Sequence, residues 1–428
     1  MSLQWECWPS LPCWRCFAAS GRITLSIKRF TQNSRRHDMK ITKINAIPLS
    51  YRLPEGKTVT MGVGSTIKRD AIIIRVETSE GITGYGEAHP GRSPGAITSL
   101  IHNTIAPMLI GMKATDCVGA WQRVHRMQLS SHGLGAGAAL AISGIDMALW
   151  DIRGKAANMP LYELLGGSKR RIPAYAGGIA LGYQPKESLA EEAQEYIARG
   201  YKALKLRIGD AARVDIERVR HVRKVLGDEV DILTDANTAY TMADARRVLP
   251  VLAEIQAGWL EEPFACNDFA SYREVAKITP LVPIAAGENH YTRFEFGQML
   301  DAGAVQVWQP DLSKCGGITE GIRIAAMASA YRIPINAHSS ATGLNHAATI
   351  HFLAATENAG YFEACVSKFN PFRDMFGTSF EIGADGCVEP PDAPGLGIEV
   401  DESIFEKYPA VDGPGYVVKF EGHHHHHH

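Results

Sequence analysis

The sequence predicts an α/β protein in which short parallel strands close a TIM-type barrel behind a smaller α+β layer. Two observations carry this. From about residue 170 to 385, short apolar strands alternate regularly with amphipathic helices, and eight strands in that order close a barrel. Between 39 and about 165 the strands come first and the helices after, the texture of an α+β layer. A doubly wound open sheet is the alternative. It usually has fewer strands and a glycine-rich phosphate turn after the first, and none is evident here.

In the first layer, Ala71–Val76 and Gly81–Glu87 read as a hairpin around Ser79-Glu80-Gly81. Apolar residues at helical spacing then run from Ala96 to Leu109 and from Ala138 to Ile152. The barrel strands are expected at Ile172–Ala176, Ala203–Ile208, Asp231–Asp235, Gly258–Glu262, Pro283–Glu288, Ala304–Asp311, Ile333–His338 and Gly360–Glu363. The chain therefore divides into a layer over 39–165, a barrel over 166–385, and a tail over 386–420. The tail is rich in Gly, Pro and acids and is expected to fold back on the first layer.

The ends read differently. Residues 421–428 are a cloning remnant and a histidine tag. Residues 1–38 hold three of the seven Trp, three of the eight Cys and six Arg or Lys against Glu6 and Asp38. A plain alternating strand begins at Met39, so the leader is expected to be an over-extended start, with a short targeting peptide as the alternative. Its Cys13-Trp14-Arg15-Cys16 could be redox-active or half a zinc site, but no second half site exists and chance explains it.

At 428 residues the chain buries enough apolar surface to need no disulfide or metal staple. The five cysteines of the body are an odd number without paired spacing, which points to a reducing compartment. A net charge of −2 argues against a nucleic-acid partner. No apolar run reaches membrane-spanning length; the richest, Leu134 to Trp150, is broken by glycines and Asp146. The cytoplasm is the expected location.

Polar residues at the strand ends carry the chemistry, because a barrel places catalytic side chains at the carboxyl ends of its strands. Strand after strand ends in a charged or metal-capable residue: Lys205-Leu206-Arg207, Asp235-Ala236-Asn237, Glu261-Glu262-Pro263, Gly287-Glu288-Asn289, Asp311, His338 and Glu363. From Lys205 the intervals are 30, 26, 27, 23, 27 and 25 residues, about one strand–helix unit each. Asp235, Glu261 and Glu288 would form an oxygen-rich site suited to Mg²⁺, which prefers hard oxygens. Zinc would prefer His or Cys.

These residues resemble the enolase superfamily, specifically the mandelate racemase group of the mandelate racemase/muconate lactonizing family. The resemblance runs from Met39 to about Val400. Its carriers are Ser143-Gly144-Ile145-Asp146-Met147-Ala148-Leu149-Trp150-Asp151 and Leu164-Leu165-Gly166-Gly167. Further carriers are Leu260-Glu261-Glu262-Pro263, Gly287-Glu288-Asn289, and Gln309-Pro310-Asp311 followed by Gly316-Gly317-Ile318. It implies a cap built from both chain ends over a (β/α)7β barrel. It also implies Mg²⁺ on Asp235, Glu261 and Glu288, abstraction of a proton α to a carboxylate, and a symmetric homo-oligomer between dimer and octamer.

The α-proton of a carboxylate is very weakly acidic, and a divalent cation offsets the charge of the enediolate left by its removal. His338 is the expected base, with Asp311 setting its tautomer. Glu363 would face the developing enediolate as donor or acid, and Lys205 would neutralise the substrate carboxylate. Many family members have Lys-x-Lys where this sequence has Lys205-Leu206-Arg207. Arginine is a poor proton acceptor and a good carboxylate clamp. A two-base racemase is therefore disfavoured, and β-elimination driven by His338 is expected.

The expected substrate is a small-molecule carboxylate, a sugar acid dehydrated to a 2-keto-3-deoxy acid. The segment Leu53–Thr66 and the turn His89–Ser93, polar and without a large aromatic wall, would overhang the mouth. Asn237, Asn289, His290, Lys314, Asn370 and Arg373 are further candidates for the mouth. A cycloisomerase acting on a sugar lactone or anhydro acid is the near alternative, then a racemase or epimerase. A non-catalytic binding protein is the remote one, since it predicts a broken metal set.

Overall fold

The computed structural model describes residues 38–131, 134–374, 376 and 380–418. The Cys13–Cys16 motif, the rest of the leader before Asp38 and the histidine tag lie outside the described residues.

The α+β layer is a three-stranded antiparallel sheet with Lys68–Thr78 between Ile41–Arg52 and Thr83–Ala88. Its hairpin pairs Ile72 with Ala88 and Glu77 with Thr83, so the turn falls where Ser79-Glu80-Gly81 placed it. The first helical run begins at Pro94 and reaches Leu109, with a π-helical segment at Ile101–Ile105 that the apolar spacing did not reveal.

The helix Ala136–Ala157 is longer than its apolar pattern suggested and is buried on almost every side. That is the expected fate of a helix apolar all round. The sheet covers one face so closely that a Cβ on Gly86 would lie 2.1 Å from the Gly144 carbonyl oxygen, which is why this strand needs glycine there. The other face docks on the barrel through its polar residues. Asp146 accepts from the Thr319 N–H at 2.9 Å and from its hydroxyl, at the start of the barrel helix Gly317–Ala330. A carboxylate in that position favourably opposes the helix dipole. Trp150 Nε1 donates to Thr319 Oγ1, and Ser143 Oγ accepts from the Gly316 N–H.

The barrel strands are Ile172–Gly177, Ala203–Arg207, Asp231–Asp235, Leu260–Glu261, Ile284–Ala286, Val307–Trp308 and Phe362–Cys365, hydrogen-bonded in parallel. The seventh staves of the expected eight, Ile333–His338, forms no continuous strand. It contributes parallel bridges of Ile335 to Trp308 and Ala359, and of His338 to Asp311. Those bridges close the ring. Helices Lys186–Ala198, Ala212–Leu226, Met242–Glu254, Phe269–Val275, Thr292–Ala302, Gly317–Ala330 and Gly343–Ala354 follow the first seven staves, giving the (β/α)7β order. Outward-facing apolar side chains of the strands join the helices in one large core, and the inward-facing Tyr175, Ala203, Leu233, Trp259, Ala285 and Val307 form a small separate one inside the ring.

The tail runs back over the first layer. Tyr416–Val417 pairs antiparallel with Gly64–Thr66, and Pro409 bridges to Leu49. His351, in the last barrel helix, joins three segments. Its Nε2 donates to the Leu396 carbonyl at 3.0 Å, and its Nδ1 accepts from the Tyr162 N–H at 2.9 Å. Only the neutral ring satisfies both partners. No helix among the described residues is long and apolar enough to cross a membrane.

Burial lowers the His351 pKa to about 4. The unfolded value is near 6.5, so the unfolded chain takes up the proton first, and stability falls as pH drops from about 6.5 towards 4. The loss reaches on the order of 3 kcal/mol at pH 4. Thermal unfolding followed from pH 7 to pH 4 should show the fall, and His351→Gln, whose amide does not titrate, should flatten it. An unchanged slope in the variant would assign the acid sensitivity elsewhere.

Candidate active site

The strand ends converge as the spacing required. Asp235, Glu261 and Glu288 bring one oxygen each within 4.8 Å of one another. Asp235 and Glu261 are fully buried, whereas the Glu288 side chain keeps 14% exposure. Glu288 lies two residues beyond its strand, past Gly287 at φ +153. A Cβ on Gly287 would sit 2.6 Å from the Gln309 backbone, so only glycine lets the chain pass there and turn Glu288 into the mouth.

Three carboxylates at this distance repel one another. Burial first, and then the charge of Asp235, push Glu261 up to about 8. Two cations oppose this repulsion. Lys205 Nζ lies 3.0 Å from Glu261, 3.0 Å from Glu363 and 3.4 Å from Asp235. Arg207 donates to Asp235 at 2.5 Å, to Asn237 at 3.3 Å and to the Gly178 carbonyl.

The His338–Asp311 pair forms on adjacent staves. His338 Nδ1 is 2.6 Å from Asp311 Oδ2, and Nε2 points to Glu288 at 3.2 Å and Glu363 at 3.9 Å. Asp311 also accepts from the Ser313 N–H, the Ser340 hydroxyl and Asn345 Nδ2. Burial raises its pKa, but the hydrogen bond and charge of His338 outweigh this and hold it below the usual range. An ionised Asp311 fixes the Nδ1–H tautomer and leaves Nε2 facing the mouth. Burial likewise opposes charge on His338, yet Glu288, Glu363 and Asp311 together raise it to about 10.

Above the floor lies a cavity of about 550 Å³. Its barrel side includes Arg207, Asn237, Glu262, Glu288, Asn289, Lys314 and His338. Its cap side includes Met61, Val63, Arg69, Glu87, His89, Arg92 and Tyr416. The His89–Arg92 turn lines the cavity as expected, whereas from Leu53–Thr66 only the apolar Met61 and Val63 reach it and the polar side chains of that segment do not.

Two family models match the chain: the mandelate racemase/muconate lactonizing enzyme N-terminal domain over residues 46–166, and the enolase C-terminal domain-like model over 188–404. The chain belongs to the mandelate racemase/muconate lactonizing enzyme family. It is 35% identical to an arabinonate dehydratase of Saccharolobus solfataricus over 79% of this chain and 90% of the relative. It is 32% identical to a 3,6-anhydro-alpha-L-galactonate cycloisomerase of Streptomyces coelicolor, over 84% and 96%. A crystal structure of an enolase superfamily member from Polaromonas sp. JS666 is 99% identical, with a TM-score of 0.87 over 89% of this chain and 100% of that one. A racemase from Streptomyces coelicolor A3(2), solved with bound magnesium, is 30% identical with a TM-score of 0.78, over 86% and 100%.

The mandelate racemase group's metal fits the residues present. The donors are oxygens only, they are mutually repelling, and they stand close enough to share one cation. A divalent cation on Glu288 would also draw away the charge that most favours a proton on His338.

Several expected site residues sit elsewhere. Lys205 was expected to meet the substrate carboxylate, but it is 1% exposed and does not line the cavity, because Glu261 and Glu363 bind it beneath the floor. Glu363 was expected to act as donor or acid. Burial raises its pKa, but Lys205, His338 and Arg207 outweigh burial and keep it ionised, so it is an acceptor for the Gly178 and Ser339 N–H groups. His290 does not reach the mouth: its Nε2 donates to the Cys266 carbonyl and its ring packs near Phe269 and Phe296. Arg373 turns away to Asp374 and the Cys365 and Ser367 carbonyls, and Asn370 binds the Ala341 carbonyl.

Asn237, Asn289 and Lys314 do line the cavity. Lys314 donates to Asn289, which in turn donates to Glu262. Sequence reasoning missed Glu87, a cap carboxylate that accepts from the Ala341 and Thr342 N–H groups just after His338. It also missed Asn345, which ties Asp311, Ser313 and Ser340 together. Neither has a local signal, because Glu87 acts on a turn 254 residues away and Asn345 reaches Asp311 and Ser313 across 34 and 32.

Two measurements check this floor. Calorimetric titration with Mg²⁺ should show one site, weakened about 100-fold or more in Glu288→Gln with little change in fold. Lys205→Met should lower unfolding stability by about 3–5 kcal/mol, because it strands buried carboxylates without their cation. Wild-type stability would show that Arg207 alone balances them.

Proposed function

We propose that the protein is a Mg²⁺-dependent sugar-acid dehydratase that removes the proton α to a carboxylate and expels the β-hydroxyl as water. The observation that carries this reading is the asymmetry of the mouth. His338, backed by Asp311, offers a ring nitrogen to the cavity. Arg207 stands where the second lysine of Lys-x-Lys would stand, and its bonds to Asp235, Asn237 and Gly178 commit it to the floor. An always-protonated guanidinium cannot take a proton from the opposite face, which disfavours a two-base racemase. The dehydratase and cycloisomerase relatives support a reaction that breaks a β C–O bond.

Mg²⁺ held by Asp235, Glu261 and Glu288 would supply the positive charge that offsets the charge growing on the substrate carboxylate as the α-proton leaves. The rest falls to the chain's own residues. His338 Nε2 takes the α-proton, the C–H electrons form the new C=C bond, and the β C–O bond breaks. The proton on Nε2 passes to the departing oxygen, which leaves as water, and the enol tautomerises to the 2-keto-3-deoxy acid. Asp311 keeps the imidazolium oriented between the two proton transfers. Lys314, Asn289 and Asn237 supply polar contacts for substrate oxygens. Cycloisomerisation of an anhydro acid or lactone uses the same base and differs in the oxygen that leaves.

Proton NMR in D₂O with Mg²⁺ and a panel of aldonic and aldaric acids tests the reaction. A 2-keto-3-deoxy product is expected with the native protein and none with His338→Asn, a loss of at least about 10³-fold. Deuterium at C2 without elimination would make the enzyme a racemase or epimerase instead. Full activity of His338→Asn would remove the assigned base.

A further inference from the structure

We propose that Arg69 forms a second anion subsite at the cap end of the cavity, so that the preferred substrate carries a carboxylate at both ends. This rests on the acid-sugar reading above and narrows it to dicarboxylates.

Arg69 lies on the central strand of the cap sheet, is only 8% exposed, and lines the cavity. Its Nε donates to the Phe369 carbonyl at 2.9 Å. No carboxylate pairs with it among the described residues. The adjoining cations are each answered: Lys68 by Asp70 at 3.3 Å, and Arg373 by Asp374 at 2.7 Å. Burial lowers the Arg69 pKa, and the charges that weigh most on it are those of Cys365, Tyr416, Arg373 and Tyr51.

A buried guanidinium without a counter-ion is costly, and folds retain one where a ligand completes it. Its planar fork matches a carboxylate through two parallel N–H bonds. At the rim, Arg92 stacks 4.8 Å over the Tyr416 ring and makes no ion pair among the described residues. The cavity floor holds the metal-binding acids and their cations. In its roof Asp70 answers Lys68 and Glu87 is taken by the Ala341 and Thr342 N–H groups, so no carboxylate among the described residues pairs with Arg69 or Arg92. A molecule with one carboxylate for the floor and one for the roof satisfies both ends. A monoacid ending in a hydroxymethyl group leaves Arg69 desolvated and unpaired.

Binding separates this subsite from the chemistry. Calorimetry on the Mg²⁺-loaded enzyme should give adipate at least about 30-fold tighter binding than 6-hydroxyhexanoate, two inert acids that differ only at the far end. Arg69→Met should erase the difference and Arg69→Lys should keep part of it, with circular dichroism verifying the fold of each. In turnover, the fall in kcat/KM caused by Arg69→Met should be at least about 30-fold larger for an aldarate than for the matching aldonate. Equal binding of the two inert acids, or equal losses on both sugar acids, would overturn the subsite and leave Arg69 as a pin for the Phe369 loop. A preference for adipate without turnover of any acid in the panel would keep the subsite and sink the dehydratase.

Discussion

Like charges buried at close range repel strongly, and the mouth of this barrel gathers six carboxylates: Asp235, Glu261, Glu262, Glu288, Asp311 and Glu363. Compensating them governs the rest of the site. Lys205 is drawn under the floor rather than left free in the cavity, Arg207 is tied to Asp235, and His338 is held between three acids. What remains is the cluster of Asp235, Glu261 and Glu288 oxygens within 4.8 Å of one another, a donor set that would suit one hard cation. The arrangement explains why two basic residues that seemed available to a substrate are used by the protein itself.

The barrel was legible because its signals are local and repeated. Short apolar runs at near-constant spacing end in polar residues, and the ring closes them onto one mouth whatever the details of the loops. The clustering of Asp235, Glu261 and Glu288 and the contact between Asp311 and His338 were readable for the same reason. Direction within the mouth was not. Strand-end position places Lys205 near the site but does not decide whether its amine points up to the cavity or sideways to Glu261. His290 and Arg373 were read from proximity alone, and packing on Phe269 in one case and the Cys365 carbonyl in the other settled them differently. Glu87, Asn345 and Arg69 were invisible because their bonds to Thr342, to Asp311 and Ser313, and to Phe369 span 32 to 300 residues.

The polar face of the helix Ala136–Ala157 shows how a sequence motif turns into architecture. Ser143, Asp146 and Trp150 all grip the start of one barrel helix, and Asp151 accepts from Tyr85 on the sheet and Leu396 on the tail. These residues stay off the cavity, yet they fix the height at which the cap's own cavity residues stand over the barrel floor. The cap and barrel sides of the cavity are thus held against each other in large part through one helix.

The seventh stave has a different consequence. It forms no ladder of its own, and backbone bonds from Asn336 to Trp308 and from His338 to Pro310 tie it to the sixth stave. The ring of His338 then takes its orientation from one side-chain bond to Asp311, which Ser340 and Asn345 hold in turn. A group that collects a proton at one atom and returns it at another needs the same ring orientation at both, and that bond supplies it.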